Sequence, residues 1–527
     1  MNANTANEQC VVFLLIVLLI WLALKYRRPF RPSGYAHGTA RWASERDLRR
    51  GGMLSGSGLI LGRTPRRGKR ISLSRYTHVS VTAPTGAGKG VSFVIPALLT
   101  YTRGSVFVFD PKGELFFATA AARRAMGQRV YVLDPFHVCT APGTGDCFNP
   151  LDCLPSDSTL VDEARAMANA MVVRPPDGDK EPFWNDSAVM FLTAMLTATL
   201  SFMKGELRTL GTVREMMTDP EIYQGTIAKL QEMGGIPARL ANQLSKLSES
   251  AKTLADVTST ANTHAAFLDS EPVSRILESS TFSAEVLLQP GSTIYFVLPV
   301  EQLEAQRGFL RLIVSTLLRH IMRFGVKRGG ETLFLLDECF SLAGLDALAQ
   351  ALVMGRGKGI RLYTFWQSAE QAQAAFKKTP NLVADNSDAQ IYFGVNGYAT
   401  AELVSKMLGN WTMLLETANV CDSGGKSSAS GGMHGPTFQS SWSSSRNFSE
   451  HARPLLAPSE ILQLSGERFI AFIRGVPPLL GRRIKYYADP MFNRTLKRMK
   501  SFAWWLFFPS SIGLLVWRLT LMRHSIP

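Results

Sequence analysis

The stretch VTAPTGAGKGVS (81–92) has the residue types of a phosphate-binding loop. Gly86 and Gly88 lack side chains, so backbone N–H groups can approach phosphate oxygens, and Lys89 can reach the terminal phosphates. A helix opening after the lysine would add its dipole. Thr85, Ala87 and Gly90 complete the segment that would wrap the anion. Against the pattern G-x-x-x-x-G-K-[ST], Ala83 stands at the first glycine and Gly90 at the cation-binding hydroxyl, while Ser92 is out of register to replace it. A glycine-rich strand-to-helix turn without a ligand has the same composition, so a second feature is needed.

ETLFLLDECFSL (331–342) supplies one, an apolar strand ending in Asp337 and Glu338. Asp337 would hold Mg²⁺, through water, and Glu338 would orient and polarise an attacking water. Together with the loop, on a strand expected to neighbour it, the pair points to ATP hydrolysis. Gln367 ends the next apolar strand, RLYTFWQ (361–367); it is a γ-phosphate sensor or a hydrogen-bonded sheet-end residue. Arg356, in GRGKG (355–359), is an arginine finger for a neighbouring subunit's site or part of a solvated basic loop. Cys139, Cys147 and Cys153 lie near His137, but C-x7-C-x5-C fits no zinc pattern, which leaves Mg²⁺ as the only metal suggested.

These residues need a scaffold that brings strand ends together. THVSVTA (77–83), SVFVFD (105–110) and RVYVLD (129–134) read as buried strands, alternating with helices over 89–99 and 115–126. STIYFVLP (292–299), ETLFLLDE (331–338), RLYTFWQ and AQIYFGV (389–395) resume the pattern. Strands alternating with helices predict an α/β fold with a parallel, doubly wound sheet. Between them, 155–285 carries helical spacing with few strand-like runs, an all-α insertion. Residues 422–447, rich in Ser and Gly, read as a mobile surface loop.

The 527 residues suggest about three domains. With 46% hydrophobic and 19% charged residues, disordered and collagen-like chains are excluded, and six cysteines exclude a disulfide scaffold. The net charge of +15 sits at the ends: 25–70 carries +11 and 482–527 carries +8, leaving the remainder at −4. That distribution disfavours wrapping by nucleic acid over the whole surface. Each basic end adjoins an apolar run. Cys10 to Leu24 lacks the basic leader and cleavage site of a signal peptide and reads as a membrane anchor, with the N-terminus outside and the rest cytoplasmic. Phe502 to Trp517 is a second span, an interfacial helix or a packed tail.

The motifs resemble those of the VirD4/TraG coupling proteins of type IV secretion and conjugation. The matching stretches include HGTARWA (37–43), APTGAGKGVSFVIPALL (83–99), FDPKGELF (109–116), YVLDPF (131–136), EPFWNDSA (181–188), LLDECFSL (335–342), GRGKGIRLYTFWQS (355–368) and RGVPPLLGRRIKYY (474–487). Gly90 after the lysine is usual in this family. The resemblance implies a RecA-like P-loop nucleotide-binding domain with an inserted all-α domain, anchored in the bacterial inner membrane with the ATPase domain in the cytoplasm. It implies a homo-hexamer that takes ATP and Mg²⁺. It also implies contact with single-stranded DNA and a relaxase or protein effectors, and with the channel ATPases and inner-membrane components. By position, Thr85, Gly86, Ala87, Gly88, Lys89 and Gly90 would bind phosphates. Asp337 and Glu338 would be Walker B, with Asp337 on the metal, Gln367 the sensor and Arg356 the finger in trans. Asp110, Lys112 and Glu114 sit after a strand near the same face, with no role assigned. The family usually has two N-terminal spans, whereas here one short N-terminal run is matched by an apolar C-terminal tail.

The domain plan expected is an anchor at 1–26, a basic juxtamembrane linker at 27–70 and the nucleotide-binding domain at 71–154 and 286–490. The all-α insertion occupies 155–285, and a basic, apolar tail 491–527. Two functions remain open: an ATPase that drives transfer, or a membrane substrate receptor in which nucleotide controls only ring assembly. A chromosome-segregation translocase of the FtsK type shares the core but would lack DPKGE beside GRGKGIRLYTFWQS.

Overall fold

The computed structural model describes residues 16–18, 21, 35–56, 58–155, 157–174, 182–247, 250–327, 330–426 and 438–492. The chain divides into two units, Trp42–Glu402 with Ser459–Pro527, and Met1–Arg41 with Leu403–Pro458.

The larger unit is built on one eleven-stranded sheet. Its first nine strands are β1 (Leu59–Arg63), β2 (Arg70–Leu73), β3 (His78–Thr82), β4 (Gly104–Asp110), β5 (Arg129–Leu133), β6 (Ser292–Val297), β7 (Glu331–Leu336), β8 (Ile360–Trp366) and β9 (Ala389–Tyr392). The smaller unit contributes β10 (Asn410–Lys426) and β11 (Phe438–Pro454), after which β12 (Arg468–Ile473) and β13 (Val476–Arg482) return to the sheet. The lateral order is β2-β1-β13-β12-β9-β3-β8-β7-β4-β6-β5.

From β9 to β5 every neighbouring pair is parallel. These strands are covered on both faces. Val106 and Val108 of β4 enter one apolar core, Phe107 and Phe109 the other. Burial on both faces makes such strands near-continuous apolar runs, which is why they are legible in sequence. Two differences from the expected sheet matter. First, β12, β13, β1 and β2 extend it antiparallel, so the sheet is mixed. Their runs are short and interrupted by Gly, Pro and Arg, which masks the pattern. Second, β8 lies between β3 and β7, so the strand of the loop and that of the acidic pair are not neighbours.

Residues 42–70 are not a linker. Ser44 caps a short helix, Glu45–Arg50, with a reciprocal bond to Asp47. Leu48, Met53, Leu59, Ile60 and Leu61 are buried. The basic side chains that suggested a membrane surface are partly spent on ion pairs: Arg63 lies 2.6 Å from Asp489 and Lys69 lies 2.9 Å from Glu45. The glycines of this stretch occupy turn and close-contact positions. A Cβ on Gly58 would sit 1.9 Å from the Leu73 carbonyl oxygen.

Between β5 and β6 run seven α-helices among the described residues, from Leu160–Met171 to Glu271–Leu277. Pro182–Phe202 is buried on nearly every side through its middle. The apolar core on one sheet face continues without a break into these helices, joining Phe107, Phe296 and Phe334 to Met195, Leu230 and Val257.

In the smaller unit β10 and β11 pair antiparallel from Asn410↔Pro454 to Lys426↔Phe438. The expected loop at 422–447 is therefore corrected: 422–426 and 438–447 are strand, and 427–437 lie outside the described residues. A ladder is made by backbone groups, so Ser and Gly weaken a strand without forbidding it. Thr39 bridges to Trp411, and His37 N–H donates to Thr412 Oγ1 at 3.0 Å.

The two apolar runs expected to meet a membrane, 10–24 and 502–517, lie outside the described residues except for 16–18 and 21, which are helical and exposed. Among the described residues no helix is long and apolar enough to cross a membrane.

Candidate functional site

The loop leaves β3 at Thr82 and is fixed at both ends. Ala83 N–H donates to the Trp366 carbonyl of β8 at 3.0 Å, and Ser92 N–H donates to the Gly88 carbonyl at 3.1 Å as the chain enters a π-helical turn, Gly90–Val94. Between them Gly86 and Gly88 have φ of +77° and +86°, the left-handed region that side chains resist. A Cβ on Gly86 or Gly90 would meet nothing within 4 Å. The space beside both glycines is thus open. Gly90 has an ordinary φ and free space, so its missing hydroxyl is a chemical departure and not a steric one. Ser92 cannot replace that hydroxyl: it is fully buried, and its Oγ has no hydrogen-bond partner.

Lys89 Nζ donates to the Ala83 carbonyl at 2.7 Å. Burial lowers its pKa from the usual ammonium range, while the charges of Asp337 and Glu338 work in the opposite direction. Asp337 keeps a water-accessible edge but is enclosed on most sides. Burial pushes its carboxyl up to about 6 against the pull of Lys89. A carboxylate held in so poor a solvent gains from a cation at its open edge. Gln367, at the end of β8, donates from Nε2 to Glu338 Oε1 at 3.3 Å. Its N–H donates to Gln371 Oε1 at 2.7 Å, which fixes the turn after the strand. With β8 in the middle, the ends of β3, β8 and β7 bring Lys89, Gln367 and the Asp337–Glu338 pair to one edge.

Arg356 is not brought there. It lies in the 3₁₀ turn Gly355–Lys358 that precedes β8, whereas the phosphate loop is at the other end of the sheet. Seven strand residues separate the two edges by roughly 20 Å. The guanidinium is exposed, and the Arg356 carbonyl accepts from Arg361 Nη1 at 3.4 Å.

Asp110 has a clear structural task. It is 1% exposed, and its carboxylate accepts the Phe116 N–H at 2.9 Å and the Lys112 N–H at 3.3 Å. It thereby ties the end of β4 to the first turn of the helix Glu114–Ala125. Gly113 makes that turn possible, since its φ is +72° and a Cβ would lie 2.6 Å from Cys139 Sγ. Asp134 likewise ties the end of β5 to the loop that follows it, accepting N–H bonds from Val138, Cys139 and Thr140. Sequence reasoning passed over Arg483, which touches the loop from the end of β13. Nothing in LGRRIKYY distinguishes it from Arg482, which is exposed.

A parallel sheet with this loop and an acidic pair at the end of a strand one removed defines the fold of a P-loop NTPase. Residues 41–503 match the family described as type IV secretory system conjugative DNA transfer. The chain belongs to that family, that of the VirD4/TraG-type coupling proteins. It is 27% identical over 501 residues to the VirD4 protein of Agrobacterium fabrum, covering 91% of this chain and 69% of that one. It is 26% identical over 517 residues to a conjugal transfer protein TraG of Escherichia coli, covering 88% and 78%. Solved structures of the plasmid coupling protein TrwB share the fold. The complex with the ATP analogue ADPNP has a TM-score of 0.59 at 16% identity, covering 86% of this chain and 96% of that one. The complex with ADP and Mg²⁺ has a TM-score of 0.59 at 15% identity, covering 85% and 94%.

Proposed function

We propose that this chain hydrolyses ATP to drive transfer of substrate through a type IV secretion or conjugation channel. The observation that carries the reading is the gathering of Lys89, Gln367, Asp337 and Glu338 at the ends of β3, β8 and β7. Thr85 to Gly90 bind the phosphates through backbone N–H groups, and Lys89 leaves the Ala83 carbonyl for the terminal phosphates. Asp337 would hold Mg²⁺, which would neutralise phosphate charge. Glu338 orients the attacking water, and Gln367, bonded to Glu338, registers whether the γ-phosphate is present. TrwB, solved with ADPNP and with ADP and Mg²⁺, supports nucleotide and Mg²⁺ as the ligands.

Assembly and location belong to the same proposal. Arg356 projects from the edge opposite its own loop, so it serves a neighbour's site in a homo-hexamer. The run at 10–24 anchors the chain in the bacterial inner membrane, with the nucleotide-binding parts in the cytoplasm. The helices between β5 and β6 form the substrate-facing part, and the partners are single-stranded DNA with a relaxase, or effector proteins, and the channel's ATPases and inner-membrane components. The family description, conjugative DNA transfer, favours the driving ATPase over a receptor in which nucleotide controls only assembly.

The test is ATP turnover by the full-length chain in detergent, with and without single-stranded DNA. We expect turnover that DNA raises, an increase that fades with added salt, and none in Lys89→Ala. Nucleotide binding without turnover in an assembled, DNA-loaded ring would favour the receptor.

A further inference from the structure

Arg483 follows β13 directly; one backbone bond fixes its main chain, and two other elements fix its side chain. Its N–H donates to the Glu467 carbonyl at 2.8 Å. Its Nη1 donates to the carbonyl of Ala87, inside the phosphate loop. Its guanidinium carbon lies 4.7 Å from the centroid of the Phe393 ring, which stacks on Phe93 at 5.1 Å. Nη2 is 3.5 Å from where a Cβ on Gly88 would stand, so the group reaches the glycine flanking Lys89. Three residues on, Tyr486 N–H donates to the Val91 carbonyl at 3.4 Å, holding the segment against the start of the helix.

What this arginine lacks is an anion in contact: Glu467, whose charge it feels, is paired with Lys485 at 2.8 Å. A guanidinium has five N–H donors. Here one is used on Ala87, and Nε is buried with no partner. Among the described residues no carboxylate lies within ion-pair distance of it. A half-buried cation without a counter-ion is costly. It is found beside an open loop whose other cation, Lys89, already has Asp337 and Glu338 nearby. The mismatch is removed when a polyphosphate enters.

Resting on the nucleotide reading of the loop, we propose that Arg483 is a second phosphate-binding cation of the site, supplied by the same chain, which clamps the bound nucleotide against the loop. Because it sits at the end of β13, nucleotide occupancy is felt by the antiparallel half of the sheet as well as by the strand ends carrying Glu338 and Gln367.

The experiment uses the full-length chain in detergent and measures ADP affinity, in the presence of Mg²⁺, by calorimetry. Unfolding temperature is read with and without ADP. Arg483→Gln should weaken ADP binding by about ten- to a hundredfold, the loss expected of a charged hydrogen bond. Arg483→Lys keeps the charge but not the fork, and should fall between. The rise in unfolding temperature given by ADP should shrink in the same order. Wild-type affinity in Arg483→Gln would overturn the proposal, whatever happens to unfolding temperature, and would leave Arg483 as a brace for the loop. If Arg483→Gln fails to fold, Arg483→Lys decides: undiminished affinity overturns, a severalfold loss supports. ADP bound as tightly by Lys89→Ala as by wild type is a different failure, that of the nucleotide reading itself.

Discussion

Asp110 shows how a motif residue can serve the site without touching it. Its carboxylate is buried and accepts two N–H groups, and burial pushes its pKa up to about 7. The folded chain therefore holds this proton more tightly than the unfolded chain does. The contribution to stability is complete below about pH 4 and is lost as pH rises through about 7. Asp110→Asn has no such proton, so its unfolding temperature should fall less steeply than that of wild type between those limits. A scan of unfolding temperature against pH checks this, and parallel curves would contradict it. At this scale the sequence reading named Lys89, Asp337, Glu338 and Gln367 because their types are tied to strand ends and a glycine loop. It left Asp110 without a task and missed Arg483. Both depend on which backbone groups come within reach, and residue type does not encode that.

At the scale of elements, the sheet holds the site through close strand contacts. Gly104 of β4 faces Glu331 of β7, and a Cβ on Gly104 would stand 1.6 Å from the Glu331 carbonyl oxygen. Gly104→Ala must push β4 from β7, and should cost at least about 2 kcal/mol, seen as a lower unfolding temperature. An unchanged temperature would mean that the strands part without loss. The same Glu331 binds the strand starts together, accepting from Tyr101 Oη at 2.9 Å and Arg361 Nε at 3.2 Å, and Arg361 in turn contacts the loop of Arg356. The parallel strands were legible because burial on both faces leaves apolar runs such as SVFVFD. The antiparallel strands were not, since β1 and β13 contain glycines that pack on Phe469 and read in sequence as breaks. Nor was the place of β8 between β3 and β7, because lateral order follows crossovers that chain order does not reveal. In the β10–β11 hairpin, composition misled outright.

At the scale of the molecule, the separation of Arg356 from its own loop predicts a site completed by another copy. Arg356→Ala and Lys89→Ala should each be inactive alone. Mixed, they should regain a fraction of wild-type turnover, since some interfaces then pair an intact loop with an intact finger. No recovery on mixing, at concentrations where wild type is active, would contradict a finger in trans. The measurement that bears most directly on the central claim sets nucleotide binding beside turnover in wild type and Glu338→Gln, both with single-stranded DNA. If Glu338 orients the attacking water, the variant should bind ATP as wild type does and lose turnover by about 10²- to 10⁴-fold. Turnover undiminished in Glu338→Gln would show that the hydrolytic group lies elsewhere.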